Sequence, residues 1–257
     1  EESIPQGVID RFRVLLTEED YEATLRSFAS PKQLIFRVNT LLATVDEVLD
    51  DLQSRNIETT AIEWCPLGFQ VVKGSIRELQ ETESHNTGKL YIQSASSMLS
   101  AHALQVQPKM RVLDMCAAPG SKTSQIAAAM NNEGMLIAND RSRKRLYRLR
   151  KIMQLQGATN VEVICNAGEL LGNSYVDCFD RVLVDVPCSG EGRFRMDRPT
   201  RLQRWNEQEI KSLSKLQQQL LSTALRCVVV GGLVVYSTCT FAPEENENVL
   251  EKVLKKS

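Results

Sequence analysis

A doubly wound α/β sheet with a smaller α+β module in front of it is what these 257 residues should build. From Arg111 onward, short apolar runs alternate with amphipathic stretches of helical period. That is the rhythm of a parallel sheet covered by helices on both faces. Between Gln33 and Gly74 the rhythm changes to strand, helix, strand, strand, which suits a small α+β unit. The length suffices for one large domain and a companion, and 42% apolar residues can fill both cores. The expected division is 1–107 for the module with its linker helix and 108–257 for the larger domain.

Each element has a local reason. Leu34-Ile35-Phe36-Arg37-Val38-Asn39 is rich in β-formers, and Thr44-Val45-Asp46-Glu47 has the form of a capping box. Val45, Val48, Leu49 and Leu52 then recur at helical spacing. Pro66-Leu67-Gly68 should separate two strands, Thr59–Trp64 and Phe69–Val72, and Ser94–Leu104 should be a helix ended by Pro108. The larger domain should run strand Arg111–Met115, helix Ser121–Asn131, strand Met135–Asp140 and helix Ser142–Gln156. Strands Val161–Asn166 and Arg181–Pro187, helix Glu207–Cys227, strand Leu233–Cys239 and helix Glu244–Lys255 complete it.

Composition excludes several classes. No apolar run approaches the roughly 20 residues of a spanning helix. Seven Cys at irregular spacing and only two His, His85 and His102, argue against a disulfide framework and against a metal site. That usage suits a reducing compartment, so a cytoplasmic location is expected, with nucleolar or organellar alternatives in a eukaryote. The chain opens at Glu1 without a Met or a greasy leader, as a trimmed sequence would. Net charge is −1, but base gathers at Arg141–Lys151 and Arg193–Arg204, which permits a positive face.

Ligands of doubly wound sheets bind beyond the carboxyl ends of the strands. The first strand opens into Cys116-Ala117-Ala118-Pro119-Gly120-Ser121-Lys122, where small side chains let backbone N–H groups approach a nucleotide-like ligand. The next strand ends in Asp140, about twenty residues past Gly120, the spacing of a ribose-binding carboxylate. A phosphate-binding P-loop fails, because Ser121 stands where it needs the Gly that precedes its Lys. The alternative is an ordinary tight strand-to-helix turn. Two later strands end in Asp185-Val186-Pro187-Cys188 and Ser237-Thr238-Cys239. If those strands are neighbours, two thiols and a carboxylate gather at the same edge. A Cys and a carboxyl in fixed relation are what methylation of pyrimidine carbon 5 demands, since a thiolate must first add at carbon 6.

The motifs Leu113-Asp114-Met115-Cys116-Ala117-Ala118-Pro119-Gly120-Ser121-Lys122-Thr123, Asp185-Val186-Pro187-Cys188-Ser189-Gly190 and Tyr236-Ser237-Thr238-Cys239-Thr240 together resemble the Nop/Sun family of RNA cytosine-carbon-5 methyltransferases. Phe36-Arg37-Val38-Asn39-Thr40, Leu90–Met98 and Glu244-Glu245-Asn246-Glu247 extend the likeness over nearly the whole chain. Met130-Asn131-Asn132-Glu133-Gly134 and Trp64-Cys65 look like the bacterial branch that modifies small-subunit ribosomal RNA. The resemblance implies a Rossmann-like methyltransferase sheet behind an RRM-like module, with S-adenosyl-L-methionine as cofactor. It implies that Cys116–Lys122 surround the methionine part, Asp140 the ribose and Asp185 both cofactor and base. Cys239 would be the nucleophile, Cys188 would resolve the covalent adduct, and Lys122 would help position the base. The partner would be ribosomal or transfer RNA with its target base unstacked; a monomer without metal or membrane is expected.

Two departures stand out. Where the family places an Asp against the adenine, this chain reads Cys165-Asn166-Ala167-Gly168, leaving Asn166 for a neutral hydrogen bond. The family also continues past the last helix with more strands, and without them the strand carrying Cys239 would be an exposed edge. Arg193, Arg195 and Arg198, next to the Pro-Cys loop, are candidate RNA contacts. Arg37 and Asn39 are candidates too, or else they fix a domain junction. The basic residues of Arg141–Lys151 fit either a solvated helix face or phosphate contact. Cys65, Cys165, Cys178 and Cys227 read as core filler. A transfer-RNA enzyme and a catalytically silent RNA-binding assembly factor of the same fold are the alternative readings.

Overall fold

The structure, a computed structural model, describes residues 4–255. Its elements run α1 (Gln6–Leu15), α2 (Glu18–Ala29), β1 (Ile35–Val38), α3 (Val45–Ser54), β2 (Glu58–Ile62) and β3 (Cys65–Lys73). Short α4 (Ile76–Gln80) and α5 (Glu83–Asn86) lead to β4 (Leu90–Ile92) and α6 (Ala95–Ala103). Then follow β5 (Arg111–Asp114), α7 (Ser121–Ala129), β6 (Met135–Asn139), α8 (Arg143–Leu155), β7 (Val161–Ile164) and β8 (Phe179–Asp185). The chain closes with α9 (Thr200–Gln203), α10 (Glu207–Cys227), β9 (Val228–Ser237) and α11 (Glu247–Leu254).

Two sheets result. The module has four antiparallel strands in the order β2-β3-β1-β4, the arrangement expected of an RRM-like unit. The larger sheet is parallel, in the order β7-β6-β5-β8-β9. Its strand order reverses between β5 and β8, so their carboxyl ends, Asp114 and Asp185, flank the switch point where ligands of such sheets sit. β9 is the edge strand among the described residues, as expected.

Local chemistry explains much of this. Thr44 and Glu47 make both bonds of the foreseen capping box at the start of α3. α3 buries Val48 and Leu52 against Phe36, Val38 and Phe69 of the module sheet. The larger sheet is covered on one face by Leu104, Ile126 and Met130 over Val112, Leu136 and Leu183. Leu146, Leu149 and Met153 of α8 cover Ala138 and the loop residues Ala117 and Ala118. Pro66-Leu67-Gly68 does not separate strands. The turn is Glu63-Trp64, because Ile62 pairs with Cys65 and a register shift at Ala61/Ile62 absorbs the extra length.

The chain divides into two compact units. One holds Gln33–Asp185 and Thr223–Ser237, and so contains both sheets. Buried polar bonds run within the module and from it to α7 and the end of α8. Arg37 donates to Gln93 and to Ser124 of α7, and Asn39 donates to the carbonyls of Gly88 and Gln156. The other unit holds the chain up to Lys32, Val186–Ser222 and the chain from Thr238 on. Its core joins Val8 and Phe12 of α1, Tyr21 and Phe28 of α2, and Phe194 and Leu202. Among the described residues, no helix is long and apolar enough to cross a membrane.

Candidate active site

In the unit with the sheets, β5 ends at Asp114 and the chain turns through Cys116–Gly120 into α7. Gly120, the N-cap, has φ +118°, and a Cβ there would lie 2.8 Å from Leu149, so this turn needs glycine. Asp114 is buried. Its Oδ2 accepts from Thr123 at 2.7 Å, while Oδ1 has no partner. Burial, opposed by the Thr123 bond, pushes its pKa up to about 7. Cys116 is pushed well above the usual thiol range, first by burial and then by the charges of Asp114, Asp140 and Asp185. It stays a thiol and is no nucleophile.

Asp140 is buried at the end of β6. Its Oδ1 accepts from the Ser142 amide and its Oδ2 pairs with Arg145 at 2.9 Å. Arg145 also donates to the Ala118 carbonyl, bridging the Cys116–Lys122 loop to Asp140. Sequence reasoning placed Arg145 only in a basic run; its position five residues after Asp140, one helical turn in, was the available signal. Asn166 has its backbone pinned to the Asn139 side chain, and its own side chain is exposed.

β8 and β9 are neighbours, with Asp185 opposite Ser237. Asp185 is fixed at both oxygens: Ser237 donates to Oδ1 and Lys122 of α7 donates to Oδ2, each at 2.8 Å. Lys122, with a side chain 14% exposed, therefore ties the first loop to the fourth strand of the sheet in chain order.

The other unit holds the thiols. Cys188 follows Asp185 by three residues, and Cys239 follows Ser237 by two. The two sulfurs lie 3.2 Å apart, and the Cys239 amide donates to Cys188 Sγ at 3.3 Å. The bond with Cys239, then burial, holds the Cys188 pKa far above the usual thiol range. Cys188 thus keeps its proton and can donate it to the Cys239 sulfur.

Residues to which sequence reasoning gave no site role hold this pair. Glu245 accepts from the Ser189 amide at 3.0 Å and from Gln217 at 2.7 Å, anchoring the Cys188 loop. Its neighbour Asn246 accepts from Thr238 at 2.6 Å and donates to the Thr240 carbonyl at 3.0 Å, clamping the residues on either side of Cys239. Glu191, fully buried, accepts from Trp205, Thr240 and the Phe241 amide. The Gly192 amide donates to the Cys239 carbonyl at 3.0 Å. The adjoining Thr-Cys and Pro-Cys motifs were the signal available for all three.

The basic residues beside the thiols fall together. The Met196 amide donates to the Phe28 carbonyl at the end of α2, which brings the segment leading up to Lys32 beside 193–198. Partial burial and the charges of Arg193, Arg195 and Arg198 hold the Lys32 ammonium below its usual pKa. Arg195 is paired with Asp197 at 2.6 Å. A Cβ at Gly190 (φ +72°) would lie 2.4 Å from Arg201 Nη1 and 3.7 Å from Cys239 Sγ, so a guanidinium stands near the thiol and only glycine fits between.

Arg37 and Asn39 are not surface contacts. They are 3% and 1% exposed and fix the junction between module and sheet, the second of the two roles expected of them. Cys65 and Cys227 are buried as foreseen, but Cys165 is exposed just past edge strand β7, and Cys178 is half-buried in the turn before β8. Among the described residues, no group of three His, Cys, Asp or Glu side chains could hold a metal.

Residues 101–257 match the family described as 16S rRNA methyltransferase RsmB/F, and residues 4–95 match the N-terminal domain of 16S rRNA methyltransferase RsmF. The ribosomal RNA small subunit methyltransferase F of Aeromonas salmonicida is 39% identical over 246 residues, 94% of this chain and 51% of that protein. That of Erwinia tasmaniensis is 37% identical over 256 residues, 98% of this chain and 53% of that protein. The chain thus spans about half the length of the curated relatives it matches. A methyltransferase homologue from Pyrococcus horikoshii superposes with a TM-score of 0.83 at 34% identity, covering 98% of this chain and 78% of that one. NSun6 from the same organism, solved with SFG, gives 0.89 at 20% identity over 99% and 88%, a likeness of fold. This chain belongs to the RsmB/F family of 16S rRNA methyltransferases.

Proposed function

We propose that this chain transfers a methyl group from S-adenosyl-L-methionine to carbon 5 of a cytosine in small-subunit ribosomal RNA, using Cys239 as nucleophile. The observation that carries the reading is the pair of thiols 3.2 Å apart, in loops that leave adjacent strands. One thiol suffices to fill a core; two facing each other suit a reaction that makes and then breaks a covalent bond.

The residues fit the cofactor. Its methionine end carries an ammonium, for which the partnerless buried Oδ1 of Asp114 is an acceptor. Its carboxylate suits the N-terminus of α7, and its ribose hydroxyls suit Asp140. When bound, the cofactor supplies a methyl group on a positively charged sulfur.

The chain's own groups then act in sequence. Cys239 thiolate adds to carbon 6 of an unstacked cytosine, and the displaced electron pair is met by a proton or hydrogen bond at N3 from the Asp185 side. Asp185 is held for this task by Lys122 and Ser237. Carbon 5, now enamine-like, takes the methyl group. The carbon 5 proton passes to water and N3 gives back the proton it gained. The carbon 5–carbon 6 double bond re-forms as the Cys239 sulfur leaves with its bonding pair, its release assisted by a hydrogen bond from the Cys188 thiol. Arg201 and Lys32 favour the thiolate form by charge, and Arg193 and Arg198 hold the RNA backbone. The chain acts as a cytoplasmic monomer in this reading.

Incubation with labelled cofactor and total bacterial RNA tests it. Label recovered as 5-methylcytidine in small-subunit ribosomal RNA supports the reading. RNA binding without label would favour a silent assembly factor.

A further inference from the structure

Helix α8 carries more positive charge than its own fold can use. Its thirteen residues, RKRLYRLRKIMQL, include six cations and no acid. Three of the six, Arg143, Lys144 and Arg145, stand in the first turn, where the helix dipole is already positive and cations are unfavourable. Lys144, Arg148 and Lys151 follow at i, i+4 and i+7, a row of like charges that repel along one stripe. Among the described residues, Arg145 alone of the six has a carboxylate partner, Asp140. The chain as a whole has a net charge of −1, so no general excess of base explains the helix.

The geometry is directional. Leu146, Leu149 and Met153 are the buried residues of α8, packed toward Ala117, Ala118 and Ala138. At 100° per residue, the row Lys144, Tyr147, Arg148 and Lys151 lies on the opposite side of the helix, facing away from the cofactor loop. Tyr147 is 61% exposed there, with the Lys151 ammonium 4.6 Å over its ring. An exposed aromatic set among unpaired cations combines charge for phosphates with a flat face for stacking. The stripe has no apolar band of the kind that seats a helix in a lipid surface.

We propose that the Lys144, Tyr147, Arg148 and Lys151 face of α8 is a second RNA-binding surface, which grips the phosphate backbone of the substrate away from the target base. The inference rests on the RNA-substrate reading above and adds where, outside the reaction site, that RNA is held. It explains why a helix retains charges that weaken it: a polyanion neutralises them.

The test is a triple variant, Lys144→Gln/Arg148→Gln/Lys151→Gln, all exposed positions outside the cofactor and thiol sites. Affinity for small-subunit ribosomal RNA is measured across a salt series, beside cofactor affinity and vesicles of phosphatidylcholine with phosphatidylserine. RNA affinity should fall roughly tenfold or more and the log–log salt slope should flatten by about two to three, for three lost phosphate contacts. The KM for RNA should rise while kcat at saturating RNA and cofactor affinity stay within about twofold, as for an interaction made equally in ground and transition states. Tyr147→Ala should weaken binding with the salt slope unchanged. RNA affinity and slope equal to the parent's would overturn the proposal, and so would a loss confined to vesicles. A parent protein that binds RNA with the expected slope but transfers no methyl would refute the enzyme reading and leave this surface standing.

Discussion

Lys122 Nζ stands 2.8 Å from Asp185 Oδ2, and Ser237 holds the other oxygen of the same carboxylate. Three separate stretches of sequence, the cofactor loop helix and the ends of β8 and β9, are therefore tied at one carboxyl group. Substituting Lys122→Gln keeps a donor but removes the charge. Methyl transfer should fall roughly 10²- to 10⁴-fold, the range of a lost proton-handling group. Because the lysine is partly exposed, unfolding free energy should change by no more than about 1 kcal/mol. Steady-state kinetics beside urea unfolding separates the two effects.

The two thiols should fail in different ways. Cys239→Ala should abolish turnover without trapping RNA. Cys188→Ala should permit addition and methylation but slow release, leaving a protein–RNA adduct that survives denaturing electrophoresis.

Glu245 and Asn246, adjacent in the chain, each steady one cysteine loop. Glu245→Ala leaves the Ser189 amide and the Gln217 side chain without their partner, at about 1–3 kcal/mol for each buried unpaired group. Glu245→Gln retains an acceptor for Ser189 and should recover most of that stability. Asn246→Ala should lower kcat more than it raises the KM for RNA, since it loosens Thr238 and Thr240 around the nucleophile. Chemical denaturation and initial rates measure both.

Asp114 makes stability depend on pH. Its carboxyl titrates near 3.8 when unfolded and at about 7 when buried. The folded state holds the proton longer, so this group's contribution to stability is greatest below pH 4, falls as pH rises toward 7 and is flat above. The fall is on the order of 4 kcal/mol at 1.36 kcal/mol per pH step. Asp114→Asn should remove this slope between pH 4 and 7, as urea midpoints across that range would record.

Much of this was legible because it is local. The Cys116–Lys122 loop, Asp140, Asp185 and the two cysteines each sit at a strand end, and strand ends can be read from short apolar runs. The foreseen start of β9 at Leu233 missed its first residues, Val228–Gly232, because Gly231-Gly232 reads as a turn; Gly231 takes φ +80° within the strand. What the sequence hid is long-range. Glu245 stands in a run of acids, yet it is fully buried, where Gln217 and Ser189 reach it from elsewhere in the chain. Arg11 of α1 pairs with Glu191 across 180 residues at 3.5 Å, a contact no periodicity announces. Arg37 is likewise held from afar, since Ser124 of α7 accepts from its guanidinium 87 residues along the chain.

The central claim, that Cys239 forms the bond to the pyrimidine, is tested most directly by peptide mapping of a trapped complex. Ribosomal RNA containing 5-fluorocytidine, which cannot lose a carbon 5 proton, would be incubated with protein and cofactor, digested and sequenced by mass spectrometry. The account predicts a methylated nucleotide attached to the peptide containing Cys239. Attachment at Cys188, with Cys239 unmodified, would contradict it.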